Sequence, residues 1–78
     1  MRTKELQLII TFDTTADAMA MESFCEDHGL RGRLIPVPTV VSAGCGLCWC
    51  ADVSMQETMQ QLIDEHSLKI HELLLCVI

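Results

Sequence analysis

The chain has 78 residues, half of them apolar, and a formal net charge of −6 with only five lysines and arginines. A chain of this length forms one domain, residues 1–78, that buries only about 60% of its unfolded surface, so we expect a partner to add stability. The negative charge excludes nucleic acid and anionic membrane surfaces as partners. No apolar run approaches the roughly 18 residues of a membrane span, and no signal-peptide pattern opens the sequence, which predicts a cytoplasmic protein.

The first half of the chain predicts a strand, a helix and a second strand. Leu6–Phe12 is apolar on one face and largely apolar on the other, which is typical of a strand covered on both sides. Ala16–His28 follows a Thr-rich turn with capping side chains and carries apolar residues at helical spacing. Gly29 predicts the left-handed end of this helix. Leu30–Pro36 predicts a short strand that two prolines bring to an end.

The second half predicts a strand, a helix and a closing strand. Leu47–Ala51 follows a loop and has strand composition, with Cys48 and Cys50 on the same face. Ser54–Glu57 fits a capping box at the start of a helix with apolar residues at helical spacing. Ile70–Ile78 predicts a last strand that is apolar on both faces.

This order of elements, βαββαβ, predicts a ferredoxin-like α+β sandwich in which two helices cover one face of a four-stranded antiparallel sheet. The other face stays open unless something covers it. We expect Cys48, Cys50 and one face of the last strand to lie there. Such a surface favours a homo-oligomer, most simply a dimer formed by sheet stacking or by edge pairing.

Three of the five cysteines, Cys45, Cys48 and Cys50, lie within six residues. Reduced thiols are expected, because the cytoplasm disfavours disulfides and an odd number of cysteines cannot pair completely within one chain. Cys45 lies between Gly44 and Gly46, and such a loop exposes the side chain and turns backbone N–H groups toward the sulfur. This arrangement suits a thiolate that accepts sulfur or selenium. The alternative is a poorly reactive thiol in a tight loop.

The same cluster also supports two other chemistries. Cys-x-x-Cys-x-Cys offers three soft ligands for Zn, Cu(I) or an iron–sulfur cluster, although no fourth ligand stands at a spacing typical of such sites. Cys45 and Cys48 have the two-residue spacing of dithiol redox sites. The residues after Cys45 predict a strand, however, and those redox sites use a helix N-terminus to stabilise the thiolate. No other group of polar residues forms an enzyme site.

Three stretches of the chain resemble a family of small bacterial Se/S carrier-like proteins: "TFDTTADAMAMESF", "RLIPVP" and "SAGCGL". Family members are about this long and commonly carry a serine run before the loop cysteine, where this chain has Ala43 and Gly44. The resemblance implies that Cys45 is the carrier thiol and that the partners are donor and acceptor proteins for sulfur or selenium. Cys48 and Cys50 depart from the family pattern.

We therefore predict a carrier without enzymatic turnover and without a cofactor. The Cys45 thiolate accepts a sulfane sulfur, and Cys48, as a resolving thiol, or Cys50 assists its release by forming a disulfide. Two alternatives stay open. One is a metal-binding module in which Cys45, Cys48 and Cys50 hold Zn, Cu(I) or an iron–sulfur cluster, and the other is a non-catalytic interaction domain whose cysteines are packing residues.

Overall fold

A computed structural model describes residues 5–37 and 46–77. Its elements are β1 (Leu6–Thr11), α1 (Thr15–Asp27), β2 (Arg33–Pro36), β3 (Leu47–Asp52), α2 (Gln56–His66) and β4 (Glu72–Val77), with a 3₁₀ turn over Val53–Met55 before α2. The strands form one antiparallel sheet in the order β2-β3-β1-β4. The predicted ferredoxin-like α+β fold is confirmed.

The central strand β1 is buried on both of its faces. Residues 8–12 have no exposed surface, although alternate side chains of a strand point to opposite sides of the sheet. Leu8 and Ile10 pack into the core beneath the helices, whereas Ile9 lies on the opposite face between Cys50 of β3 and Leu74 of β4. The two-sided apolar pattern of this segment therefore corresponds to a strand that is covered on both sides.

Helix α1 begins and ends as its sequence predicts. The Thr14 hydroxyl accepts a hydrogen bond from the backbone N–H of Asp17 at 3.1 Å, which satisfies one of the donors left unpaired at a helix start. Gly29 follows the helix with φ of +65°, a left-handed conformation that glycine adopts without a steric penalty. Between these two ends, the buried residues Ala18, Met21 and Cys25 pack into the core against the sheet.

The start of α2 differs from the prediction, because Ser54 is not its capping residue. The carboxylate of Asp52 accepts a hydrogen bond from the backbone N–H of Ser54 at 2.9 Å and opens the 3₁₀ turn. Met55 then precedes the helix without a side-chain cap. In the predicted capping box, this N–H of Ser54 would donate to the side chain of Glu57. The carboxylate of Asp52, at the end of β3, accepts it instead. The hydrogen bonds that Ser54 makes to this carboxylate, from its side chain and its backbone, also hold the pKa of Asp52 below its ordinary value.

Strand β4 lies at one edge of the sheet and pairs only with β1 among the described strands. Its two faces are apolar, as predicted, but the helices do not cover its far end. Leu75 is 37% exposed and Val77 is 55% exposed, next to the exposed Leu6 on β1. The only charged residue in this strand is Glu72. An edge strand with a single charge and no proline is open to pairing with a further strand.

The thiol of Cys25 lies in the core between α1 and the sheet, where only 3% of the residue is exposed. Because burial disfavours the charged thiolate, the pKa of Cys25 rises from 9.0 to about 11. The unfolded chain therefore releases this proton at lower pH than the folded chain. Its contribution to stability is complete below pH 9 and is lost as the pH rises toward 11.

We predict that the free energy of unfolding, measured with urea in the presence of a reductant, falls by about 2 kcal/mol more in the wild type than in Cys25→Ala between about pH 8 and about pH 10.5. The alanine variant is the matched control, since it keeps every other titrating group. Parallel pH profiles of the two proteins would contradict the assignment.

Candidate functional site

Strand β3 sorts its side chains between the two faces of the sheet. Trp49 and Ala51 belong to the core beneath the helices, while Cys48 and Cys50 lie on the opposite face, as the sequence predicts. Cys48 has no exposed surface, and Cys50 is half-buried. Cys45 lies outside the described residues, so its role as carrier thiol stays a prediction.

The segment that contains Cys45 connects two paired strands. At its base, the backbone N–H of Val37 donates a hydrogen bond to the carbonyl oxygen of Gly46 at 3.0 Å. Gly46 has φ of +79°, in the left-handed region that favours glycine. The glycine that directly follows Cys45 therefore has a conformational reason to be there, and it sets the point at which β3 begins.

The immediate surroundings of Cys50 are polar on two sides. Arg33 is its cross-strand partner on β2. On β1, the side-chain oxygen Oε1 of Gln7 accepts a weak hydrogen bond from the Cys50 thiol at 3.9 Å. Burial raises the pKa of Cys50, and the positive charge of Arg33 partly opposes this rise by favouring the thiolate. The pairing of β2 with β3 thus places a positive charge beside Cys50.

A groove of about 920 Å³ opens on this face of the sheet above Cys50. The residues that line it are Glu5, Gln7, Arg31, Gly32, Arg33, Ile35, Pro36, Cys50, Ala51 and Asp52. A Cβ atom at Gly32 would overlap the indole ring of Trp49, which is itself almost completely buried. Glycine is therefore required between the two arginines, and its contact with the rigid indole fixes the chain that carries both guanidinium groups.

Comparison with known proteins identifies the family. The sequence profile of the family described as "Putative Se/S carrier protein-like" matches residues 7–74. The chain belongs to this Se/S carrier-like family. The matched range contains four of the five cysteines, and Cys76 lies beyond it. No curated protein and no solved structure shows significant similarity to the chain.

Of the three thiols in the metal hypothesis for this Se/S carrier-like chain, the structure describes Cys48 and Cys50. Within residues 5–37 and 46–77, no group of three or more His, Cys, Asp or Glu side chains is placed to hold a metal ion. The hypothesis of a three-thiol site at Cys45, Cys48 and Cys50 includes one residue outside this range and stays a prediction. None of the described helices is long and apolar enough to cross a membrane.

Two side-chain contacts were not predicted from the sequence. His28 and His66 lie at the ends of α1 and α2, as predicted, but the fold also brings their ring centroids to 5.8 Å, with Phe24 stacked on His28 at 4.0 Å. His71 pairs with Asp13, with 2.9 Å between Nδ1 and Oδ1. Both contacts join residues far apart in the chain. Local sequence motifs do not predict such contacts.

We predict that Arg33→Gln slows alkylation of Cys50 by iodoacetamide at about pH 8, because the variant loses the charge that favours the thiolate. Arg33 is exposed, and an exposed charge contributes about 0.2–1 kcal/mol, so the rate should fall by a factor of about 1.4 to 5. Peptide-resolved mass spectrometry measures this rate for Cys50 alone.

Arg31→Gln is the matched control, since Arg31 lines the same groove but does not shift the pKa of Cys50. Equal slowing in both variants, or no slowing in Arg33→Gln, would show that the strand pairing does not control this thiol.

Proposed function

We propose that the protein carries sulfur or selenium on Cys45 and passes it between a donor and an acceptor protein in the cytoplasm, without turnover of its own. The observation that carries this proposal is the family match over residues 7–74, which includes the loop cysteine and the strand that follows it. The hydrogen bond from Val37 to Gly46 supports it, because it closes the base of the segment that contains Cys45.

The mechanism is thiol exchange on sulfane sulfur. The Cys45 thiolate attacks the terminal sulfur of a donor persulfide, the sulfur–sulfur bond of the donor breaks, and the donor leaves as a thiolate. No electrons are gained or lost overall. The resulting Cys45 persulfide then gives up its terminal sulfur to a nucleophile on the acceptor.

The cysteines of β3 provide a second route of release. A thiolate at position 48 or 50 can attack the inner sulfur of the Cys45 persulfide, which forms a disulfide and expels hydrosulfide. The burial of the two residues supports a difference between them. Cys48 is fully buried and Cys50 is half-buried beside a groove, so Cys50 is the more accessible of the two to a reagent in solution.

We predict that anaerobically purified protein gains the mass of one sulfur after incubation with a persulfide donor, and that Cys45→Ser abolishes this gain. Denaturing mass spectrometry measures the adduct. Cys76→Ser is the matched control, since Cys76 is a half-buried cysteine on the same face of the sheet as Cys50, and this variant should load normally.

Sulfur loading that persists in Cys45→Ser would contradict the choice of carrier thiol.

Native mass spectrometry of the untreated protein tests the alternative of a metal module with the same sample. A mass excess of Zn, Cu or an iron–sulfur cluster that is lost in each of the Cys45, Cys48 and Cys50 variants would favour it.

We propose that a second copy of the chain pairs with the exposed edge of β4 to form the predicted homo-oligomer. Two β4 strands can pair antiparallel about a twofold axis, which satisfies the outward backbone groups of both and covers Leu75 and Val77. The low charge of this strand supports such self-pairing, because Glu72, at its first position, is the one charge that each copy would bring to the paired strands.

We predict that the wild type sediments as a dimer at micromolar concentration and that Leu75→Lys sediments as a monomer. Met19→Lys is the matched control, because Met19 is exposed on α1, away from the sheet edge, and its charge should leave the dimer intact. A monomeric wild type, or dissociation in both variants, would contradict pairing through β4.

A further inference from the structure

The groove above Cys50 has a defined arrangement of charge. Arg31 and Arg33 contribute two guanidinium groups from the β2 side, and Glu5 and Asp52 contribute two carboxylates from the β1 and β3 segments. Cys50 lies on β3, which is the strand between β1 and β2. A single ligand in the groove can therefore contact two guanidinium groups, two carboxylates and a thiol.

The charged groups of the groove are not neutralised by one another. Across residues 5–37 and 46–77, the single ion pair joins His71 to Asp13, away from the groove. The carboxylate of Asp52 accepts the backbone N–H of Ser54, and that of Glu5 accepts the side-chain amide of Gln7 at 3.5 Å. No described residue accepts a hydrogen bond from either guanidinium group, so the donors of both arginines are available to a ligand, and a guanidinium group binds a carboxylate with two parallel hydrogen bonds.

The mixture of charges selects among ligands. A purely anionic ligand such as a phosphate or a sulfate would meet the two carboxylates, and a purely cationic one would meet the two arginines. A zwitterion satisfies both. The volume of about 920 Å³ lies within the range of small-molecule pockets, about 300–1,000 Å³, and is ample for an amino acid or a tripeptide.

We propose that this groove binds a low-molecular-weight thiol of the α-amino-acid type, in its disulfide form, with its carboxylate on Arg31 and Arg33 and its sulfur against Cys50. The ammonium group of the ligand faces the side of Glu5 and Asp52. This site goes beyond the proposed carrier role and does not depend on Cys45.

The covalent step at this site is thiol–disulfide exchange. The Cys50 thiolate attacks one sulfur of the bound disulfide, the old sulfur–sulfur bond breaks, and the other half of the ligand leaves as a thiolate. Cys50 is oxidised to the mixed disulfide, and one sulfur of the ligand disulfide is reduced to the thiolate that leaves.

The test uses the Cys45→Ser variant of the whole chain. It compares the reactions of Cys50 with four small disulfides that differ in charge. The probes are cystine, which is zwitterionic, 3,3′-dithiodipropionate, which is anionic, cystamine, which is cationic, and bis(2-hydroxyethyl) disulfide, which is neutral. Peptide-resolved mass spectrometry gives the rate of mixed-disulfide formation at Cys50. Each rate is divided by the rate of the same probe with N-acetylcysteine amide, an uncharged thiol, which removes differences in intrinsic reactivity.

We expect the normalised rate for cystine to exceed that for the neutral probe about tenfold, the equivalent of 1.4 kcal/mol. The anionic and cationic probes should fall below cystine. Arg31→Gln should remove most of the preference for cystine and leave the rate of the neutral probe unchanged, because Arg31 acts on the ligand and not on the pKa of Cys50. Arg33→Gln should lower both rates.

Equal normalised rates for all four probes would overturn the proposal. It would also be overturned if Arg31→Gln slowed cystine and the neutral probe alike, since that pattern reports a change of structure. Because Cys45 is absent from the tested background, either result is independent of whether Cys45 carries sulfur.

Discussion

The pairing of β1 with strands on both sides is the interaction on which the rest of the structure depends. Residues 8–12 lose all of their exposed surface, and full burial of each apolar side chain of this size contributes about 1.5–3 kcal/mol. The register of β1 with β3 also decides which cysteines face which side. A shift by one residue would turn Cys48 and Cys50 toward the helices and Trp49 out of the core. The chemistry of the thiols is therefore a consequence of strand register.

The fold gives the cysteines graded access to solvent. Cys25 is held in the core under α1, where burial suppresses its ionisation. Cys48 is fully buried on the other face of the sheet, and Cys50 lies half-buried at a groove with an arginine as its neighbour. Cysteine-rich composition alone does not distinguish these environments. A protein that handles reactive sulfur gains from this grading, because few of its thiols then compete for the cargo.

Much of the fold was predictable from the sequence because its signals are local. The apolar pattern of β1, the Thr14 cap and the Gly29 stop of α1 depend on residues within one element, and the structure confirms them. The start of α2 was predicted wrongly, because a carboxylate at the end of β3 accepts the backbone N–H of Ser54, which the predicted capping box would pair with the side chain of Glu57. Local motifs can compete, and the sequence does not reveal which one prevails.

The site was predictable only in part, because it depends on contacts across the sheet. The shared face of Cys48 and Cys50 follows from strand periodicity. The pairing of Arg33 with Cys50, and the groove that they share with Gln7, arise from the order of strands and from their register. Likewise, the requirement for Gly32 becomes visible only when Trp49 is packed beneath it. Such features combine residues that are distant in sequence, and no spacing rule connects them.

The most direct test of the account is to map sulfane sulfur at the level of single cysteines after a brief exposure of the native protein to a persulfide donor. The account predicts sulfur on Cys45, with none on Cys25 or Cys48, which the fold shields from the donor. Sulfur on Cys25 or Cys48 while Cys45 remains unmodified would contradict it.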